Sequence, residues 1–201
     1  MARLYVATFN RAPDSGGIGY WLHESFGGHP CLEQIASSFF DQPETQKKYP
    51  ADVTTETFVK NIYLNLFNRD VDSGGLEYWR EQLQTGAFSH SEFILAVING
   101  ALAETGDPDD AKILSNKANV GIAFANAGLE SVEQAKEVMR NITGTTLSVE
   151  NAMAMINTFK NGSVNVNTDF DPFATCTATA DYDNDAWNVH LHYIMEVGGG
   201  R

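Results

Sequence analysis

The sequence predicts an all-α protein made of two similar helical repeat units, a helical extension and a short β-like C-terminal tail. One segment occurs twice, at residues 10–21 and 68–79, with a constant offset of 58 residues between Asn10 and Asn68. Apolar residues recur at helical spacing as far as about residue 160. Residues that begin helices precede several of these stretches. Similarity sustained at one offset is typical of repeat architectures.

The second copy indicates how the first two helices of a unit are built. Apolar positions in residues 58–67 form one face of a helix. That helix must stop near Asn68, because acidic residues, a serine and two glycines follow at once. Asp72 or Ser73 can cap the next helix, and Gly86 ends it.

A third helix completes the unit. Ser89 and Glu92 have the spacing of a capping box, which begins a helix. The first copy repeats the scheme, with Pro43 able to open a further short turn. The sequence therefore predicts two tandem units within residues 1–106, bounded at 1–50 and 51–106.

The repeated motif resembles a known family. Each copy has an arginine, an aspartate three residues later, a glycine and a Tyr-Trp pair: Arg11, Asp14, Gly17 and Trp21, then Arg69, Asp72, Gly75 and Trp79. This pattern resembles the bacterial "domain of unknown function 4214" family, and more distantly the phycobilisome linker domain. The resemblance covers about residues 3–105, and the first copy departs from the second at Ala12-Pro13. It implies a module, often in tandem, of large secreted proteins with RTX-like calcium-binding repeats and of S-layer or adhesin-like proteins. It implies no catalytic residues.

The extension, residues 107–160, is predicted to be helical and to pack on the two repeat units. Asp107 is a good cap with Pro108 at the first helical position. Gly128 stops that helix, and Ser131 caps the next one. Ser148 is expected to cap the last helix.

The tail, residues 161–201, has a different character. It is rich in Asn, Asp and Thr, which favour turns, and apolar residues alternate over 189–197 as in a half-buried strand. Asp181, Asp183 and Asp185 place carboxylates at alternate positions, a spacing that suits Ca²⁺. Solvated turn residues are the more common explanation of such spacing, so the calcium site is one of two alternatives.

The second motif offers a weaker calcium hypothesis. Asn68, Asp70 and Asp72 present oxygen atoms at every second residue, but the glycine and the bidentate Glu of an EF-hand are misplaced. The alternative is structural, and we favour it because both copies keep Arg and Asp while only one keeps the extra acid. In that interpretation the two aspartates cap helices and pair with the nearby arginines, as Arg11–Asp14 and Arg69–Asp72.

The remaining candidate ligands are two histidines and two cysteines. His190 and His192 share one face of the predicted strand, as in two-histidine metal sites, but no third ligand is identifiable and surface histidines are favoured. Cys31 and Cys176 are too few for a disulfide framework. A single bridge is one alternative for them, and two free thiols are the favoured one.

The aromatic pairs Tyr20-Trp21 and Tyr78-Trp79 could form platforms for a sugar. Trp at a helical core position is more often packing, and we favour that. No Ser-His-Asp or Cys-His arrangement and no phosphate-binding glycine loop is present in the sequence pattern. We therefore predict that the chain is not an enzyme.

Composition limits the partners. The net charge of −13 argues against a nucleic acid, which needs clustered Lys and Arg. No apolar run is long enough to span a membrane. Met1-Ala2-Arg3 leads into a helix without a signal-peptide pattern, so we expect secretion by another route, with a cytoplasmic protein or a fragment of a larger one as alternatives.

These observations favour a non-catalytic secreted or cell-surface module that contacts a protein or a cell-surface glycan, with Ca²⁺ as its candidate cofactor. Oligomerisation is left open. The alternatives are a calcium-dependent carbohydrate-binding module or an accessory domain of a larger secreted enzyme.

Overall fold

The computed structural model describes residues 1–21 and 32–162, and this part of the chain contains helices and no strand. The all-α prediction is confirmed for these residues. The predicted strand at 189–197 lies outside them. The helices are α1 Ala2–Phe9, α2 Ser15–Gly19, α3 Leu32–Phe40, α4 Pro43–Lys48, α5 Thr55–Phe67, α6 Ser73–Gln84, α7 His90–Leu102, α8 Pro108–Asn126, α9 Val132–Met139 and α10 Thr146–Gly162.

The internal repeat is visible in where the helices begin and end. α2 begins at Ser15 and α6 at Ser73, and α1 and α5 end at Phe9 and Phe67, each pair again 58 residues apart. α1 and α5 both end at an asparagine in the left-handed conformation, with φ of 52° at Asn10 and 59° at Asn68. Asn tolerates this conformation better than most residues, so the same turn closes both first helices.

Helix caps predicted from the sequence are confirmed at most positions. The carboxylate of Asp14 accepts a hydrogen bond of 2.7 Å from the Gly17 amide, and Asp72 accepts one of 2.9 Å from the Gly75 amide. The other confirmed caps are the Ser89–Glu92 capping box, Asp107 before Pro108, and Ser131, whose hydroxyl accepts from the Gln134 amide. Positive φ at Gly86 and Gly128 follows the ends of α6 and α8.

One predicted cap was wrong. α10 begins at Thr146, so Ser148 lies in its first turn rather than before it. The hydroxyl of Thr145 accepts a hydrogen bond of 3.3 Å from the Ser148 amide, which is the contact expected of an N-cap residue. Thr145 comes three residues before Ser148, as a cap residue should. The sequence therefore contained the signal, but two candidate hydroxyl residues competed for it.

The hydrophobic core runs through both repeat units and the extension. α1 packs against both α5 and α8, so the extension covers the first helix of the chain. α3 packs against α7, the matching helix of the second unit. The largest apolar side chains that are fully buried come from both units, from α8 and α9, and from the turn after α9: Phe39, Phe58, Phe93, Phe124, Ile62, Leu66, Ile94, Leu114, Met139 and Ile142.

Candidate functional site

The residues that repeat most faithfully form two loops, which we call the first motif loop (residues 10–17) and the second motif loop (residues 68–75). In both, the arginine folds back over two aromatic rings of the preceding helix, a cation–π arrangement. The distances from guanidinium carbon to ring centroid are 5.0 Å for Arg11–Tyr5, 5.2 Å for Arg11–Phe9, and 5.7 Å for both Arg69–Tyr63 and Arg69–Phe67.

Each arginine also makes a two-pronged bond to a carboxylate on a later helix. Arg11 Nε and Nη2 donate to Glu44 at 3.2 and 3.0 Å. Arg69 Nε and Nη2 donate to Asp110 at 2.9 and 2.5 Å. Bidentate pairs of this kind fix both partners in one orientation. In both copies the motif arginine therefore fastens the loop to the start of a following helix.

The predicted arginine–aspartate pairing holds in one copy only. Arg11 Nη1 donates to Asp14 at 3.1 Å. The predicted pair of Arg69 with Asp72 is replaced by the pair of Arg69 with Asp110. Sequence reasoning missed both Glu44 and Asp110. Their shared signal is an acid in the first turn of a helix that opens with proline, since Pro43 precedes one and Pro108 the other: the pairs are Pro43–Glu44 and Pro108–Asp110.

The motif tryptophans lie against the core, and their tyrosine neighbours do not. Trp79 Nε1 donates to the Tyr63 hydroxyl at 3.1 Å, and Trp21 bonds to the equivalent Tyr5. Burial raises the pKa of Tyr5 to about 12. Tyr20 and Tyr78, by contrast, are 51% and 50% exposed. The Tyr-Trp pairs are thus divided between core packing and surface.

Gly17 and Gly75 sit close to the caps of α2 and α6. A Cβ atom on Gly17 would overlap the Tyr5 hydroxyl and approach Asp14 Oδ1 to 2.8 Å. On Gly75 it would lie 3.1 Å from a Val71 methyl group. The missing side chain therefore lets the loop and the preceding helix approach closely, more so in the first copy.

The oxygen atoms of the second motif loop are partly committed to the fold. Asn68 Oδ1 accepts a hydrogen bond of 2.7 Å from Lys117 Nζ, and Asp72 caps α6. Within residues 1–21 and 32–162, no group of three or more His, Cys, Asp or Glu residues is placed to hold a metal ion. Asp70 remains exposed. The other candidate ligands, Asp181, Asp183, Asp185, His190, His192, Cys31 and Cys176, lie outside the described residues.

Lys117 is a buried cation that sequence reasoning missed. Its side chain is fully buried, and Nζ donates to the Asn65 carbonyl as well as to Asn68. Both acceptors lie at the C-terminal end of α5, where the helix dipole favours positive charge. Desolvation nevertheless lowers the pKa of Lys117 to about 8. The lysine ties α8 to the base of the second motif loop.

The second repeat unit is similar to a known protein family. Residues 36–101 match the family described as "Domain of unknown function (DUF4214)". This part of the chain is similar to that family. The DUF4214 match includes the whole second motif loop, whereas the first motif loop precedes the matched range. Within the described residues, no helix is both long and apolar enough to cross a membrane.

A relative of the chain is an S-layer protein of Synechocystis sp. It is 24% identical over 138 residues, which cover 63% of this chain and 8% of the relative. The chain therefore spans less than a tenth of that protein's length. No solved structure matches the chain significantly. A DUF4214 domain and a distant S-layer relative fit a surface or structural module.

Proposed function

We propose that the chain is a non-catalytic structural module of a secreted or cell-surface protein, which mediates contact with another protein or with the cell surface. The observation that supports this proposal most is that the repeated polar side chains are used to hold the fold together. Arg11, Arg69, Asp14 and Asp72 are engaged in pairing, ring contacts and helix caps. A side chain that must transfer protons or attack a substrate has to face the substrate.

The likeness to an S-layer protein supports the surface part of the proposal. By analogy with that S-layer protein, this chain would take part in such an assembly as one small unit among many. The strongly negative net charge is consistent with a soluble surface facing solvent or cations rather than nucleic acid. Other proteins are then the partners expected of the module.

Binding to isolated cell envelopes of the source organism tests the proposal. Fluorescently labelled chain should sediment with intact envelopes, and binding should fall after the envelopes are treated with protease. Envelopes whose glycans have been oxidised with periodate serve as the matched control and should retain binding. A chain that stays in solution with untreated envelopes would refute the proposed surface contact.

A carbohydrate-binding module is the alternative that a specific observation favours. A cavity of about 340 Å³ opens beside the first motif loop, with Tyr20, Trp21, Gln42 and Glu44 in its lining. Aromatic faces beside hydrogen-bonding groups suit sugars. Here binding should survive protease and be lost after periodate, and calcium dependence through Asp181, Asp183 and Asp185 should appear as loss of binding in chelator. An accessory domain of a larger secreted enzyme would bind carbohydrate in the same way.

A further inference from the structure

The two motif loops share sequence and backbone path but lie in different surroundings. Arg11 and Ala12 are buried in the first motif loop. In the second, the Arg69 side chain is 42% exposed and Asp70 is exposed. Because the loops themselves are alike, the difference arises from what lies on top of them.

The first motif loop is covered by residues 129–135, the turn between α8 and α9 together with the start of α9. Three hydrogen bonds hold this covering segment in place. They are Ser15 amide to Leu129 carbonyl at 3.3 Å, Gly16 amide to Glu130 Oε1 at 3.0 Å, and Ala12 amide to Ala135 carbonyl at 3.0 Å. Two carbonyls and one carboxylate thus satisfy backbone donors at the start of α2.

In the second motif loop two of the three matching donors are open, and the third, the Gly74 amide, bonds to the Asp72 carboxylate. No described residue accepts a hydrogen bond from the backbone amide of Asp70 or Ser73, which correspond to Ala12 and Ser15. The loop is nevertheless held in position from below. Asn68 Nδ2 donates to the Ile142 carbonyl at 2.7 Å, and Arg69 is fixed to Asp110. The second motif loop is therefore pre-formed for binding, which lowers the entropy cost of association.

We propose that the second motif loop is a docking surface for a loop-and-helix segment of another protein unit, laid out like residues 129–135. The segment would supply two backbone carbonyls to the amides of Asp70 and Ser73, and a glutamate carboxylate to the Gly74 amide, which it would share with Asp72. The first motif loop, with its bound Glu130 carboxylate, is the internal precedent for this ligand. The chain's own segment is unable to fill the second site, because it already lies on the first. This inference rests on the proposed structural role.

The negative charge of Asp70 limits which segments can dock on the second motif loop. Asp70 stands where the first copy has Ala12, which is fully buried beneath the covering segment. A docked segment must therefore place a positive charge beside the Asp70 carboxylate, since burying an unpaired charge is costly. The docking segment therefore carries a lysine or arginine next to the residue that corresponds to Ala135. In this chain Lys136 occupies that position. The partner is thus a segment with one acidic contact and one basic contact.

The test uses the full chain labelled with ¹⁵N and a synthetic peptide of residues 128–141 added at millimolar concentration. The amide signals of Asp70, Ser73 and Gly74 should shift as the peptide saturates the loop. A peptide with Glu130→Ala should bind about fivefold more weakly, the effect of one net hydrogen bond. Shifts confined to other surfaces, or no shift at all, would overturn the proposal.

The corresponding test variant in the protein is Ser73→Pro. Ser73 is the first residue of α6, where proline is favoured because the missing amide hydrogen has no partner within the helix. Asp72 already has the extended backbone, φ −69° and ψ 165°, that proline requires of the preceding residue. The variant should fold normally and bind the peptide about fivefold more weakly. Unchanged affinity for both the Glu130→Ala peptide and the Ser73→Pro protein would overturn the proposal. The envelope-binding experiment remains a separate test of the proposed function.

Discussion

At the scale of single residues, the two motif arginines perform one task in different environments. The Arg11 side chain is 6% exposed and bonds to both Asp14 and Glu44. That of Arg69 is 42% exposed and bonds to Asp110, whose own side chain is 9% exposed. Removing one partner of an ion pair is most destabilising where the charge left behind is buried. The two arginines should therefore stabilise the fold in different ways, Arg11 through its own buried contacts and Arg69 through the buried carboxylate of Asp110.

Replacing each arginine by alanine tests these roles. We expect Arg69→Ala to lower the free energy of unfolding by about 3 kcal/mol, because it leaves the buried Asp110 carboxylate without its partner. Arg11→Ala should cost about 2 kcal/mol, because the buried guanidinium loses its contacts with the Tyr5 and Phe9 rings, while water can solvate Glu44, whose side chain is 45% exposed. Urea unfolding of both variants gives the comparison. A larger loss for Arg11→Ala than for Arg69→Ala would contradict the weight given to the carboxylate that is left behind.

Lys117 gives a pH dependence with a definite sign. Its pKa is lowered to about 8 in the folded chain, below the ordinary lysine value of 10.5. Between these values the unfolded chain binds more protons, so stability rises with pH across this window. Lys48, whose pKa is also lowered to about 8, adds a similar trend.

The variant Lys117→Met isolates the contribution of Lys117, because Lys48 titrates in both proteins. The unfolding free energy of the wild type, minus that of the variant, should increase by about 2 kcal/mol from about pH 8 to pH 9.5. Chemical unfolding at several pH values measures it. Parallel stability curves would mean that Lys117 keeps an ordinary pKa in the folded chain.

At the scale of helices, local sequence signals were informative where one residue type dominates a boundary. Asp14, Asp72, Ser89, Asp107 and Ser131 all cap the helices that the sequence assigned to them. A cap depends on a side chain and an amide within three residues, so it is legible in sequence. Where Thr145 and Ser148 competed, that locality no longer decided the boundary.

The longer-range contacts of the motif were beyond such reasoning. Glu44 is 33 residues from Arg11 and Asp110 is 41 residues from Arg69, so nothing local links the partners. Arg69 was assigned to the nearby Asp72, which instead serves α6 alone as its cap. Proximity in sequence is a weak guide once a helix intervenes.

The cap of α6 can be tested without disturbing the core, because Asp72 is exposed. Its carboxylate accepts from the Gly75 amide, and this hydrogen bond holds the pKa of Asp72 below its usual value. Asp72→Ala should lower the melting temperature by a few degrees, whereas Asp72→Asn should retain most of it, since Asn caps about as well. If alanine and asparagine melt alike, the side chain does not cap α6.

At the scale of the whole molecule, the sequence revealed the repeat but not how the units pack. The repeat motif predicted similar helices in similar order, and the ends of α1 and α5 and the starts of α2 and α6 agree at the offset of 58 residues. It carried no information on α8, which lies against α1 and α5 and continues into the segment that covers the first motif loop. Such packing depends on contacts between residues more than 100 positions apart, as in the Gly16–Glu130 bond.

This arrangement predicts that residues 1–106 alone do not form a stable fold. Removing α8 to α10 uncovers α1, exposes Ala12 and leaves Arg69 without Asp110. The truncated core would bury too little apolar surface to offset the conformational entropy of ordering both units. Circular dichroism should show a cooperative thermal transition for residues 1–162 and a broad, weak one for residues 1–106. A sharp transition in the shorter fragment would establish the two units as an autonomous domain and the extension as an addition to it.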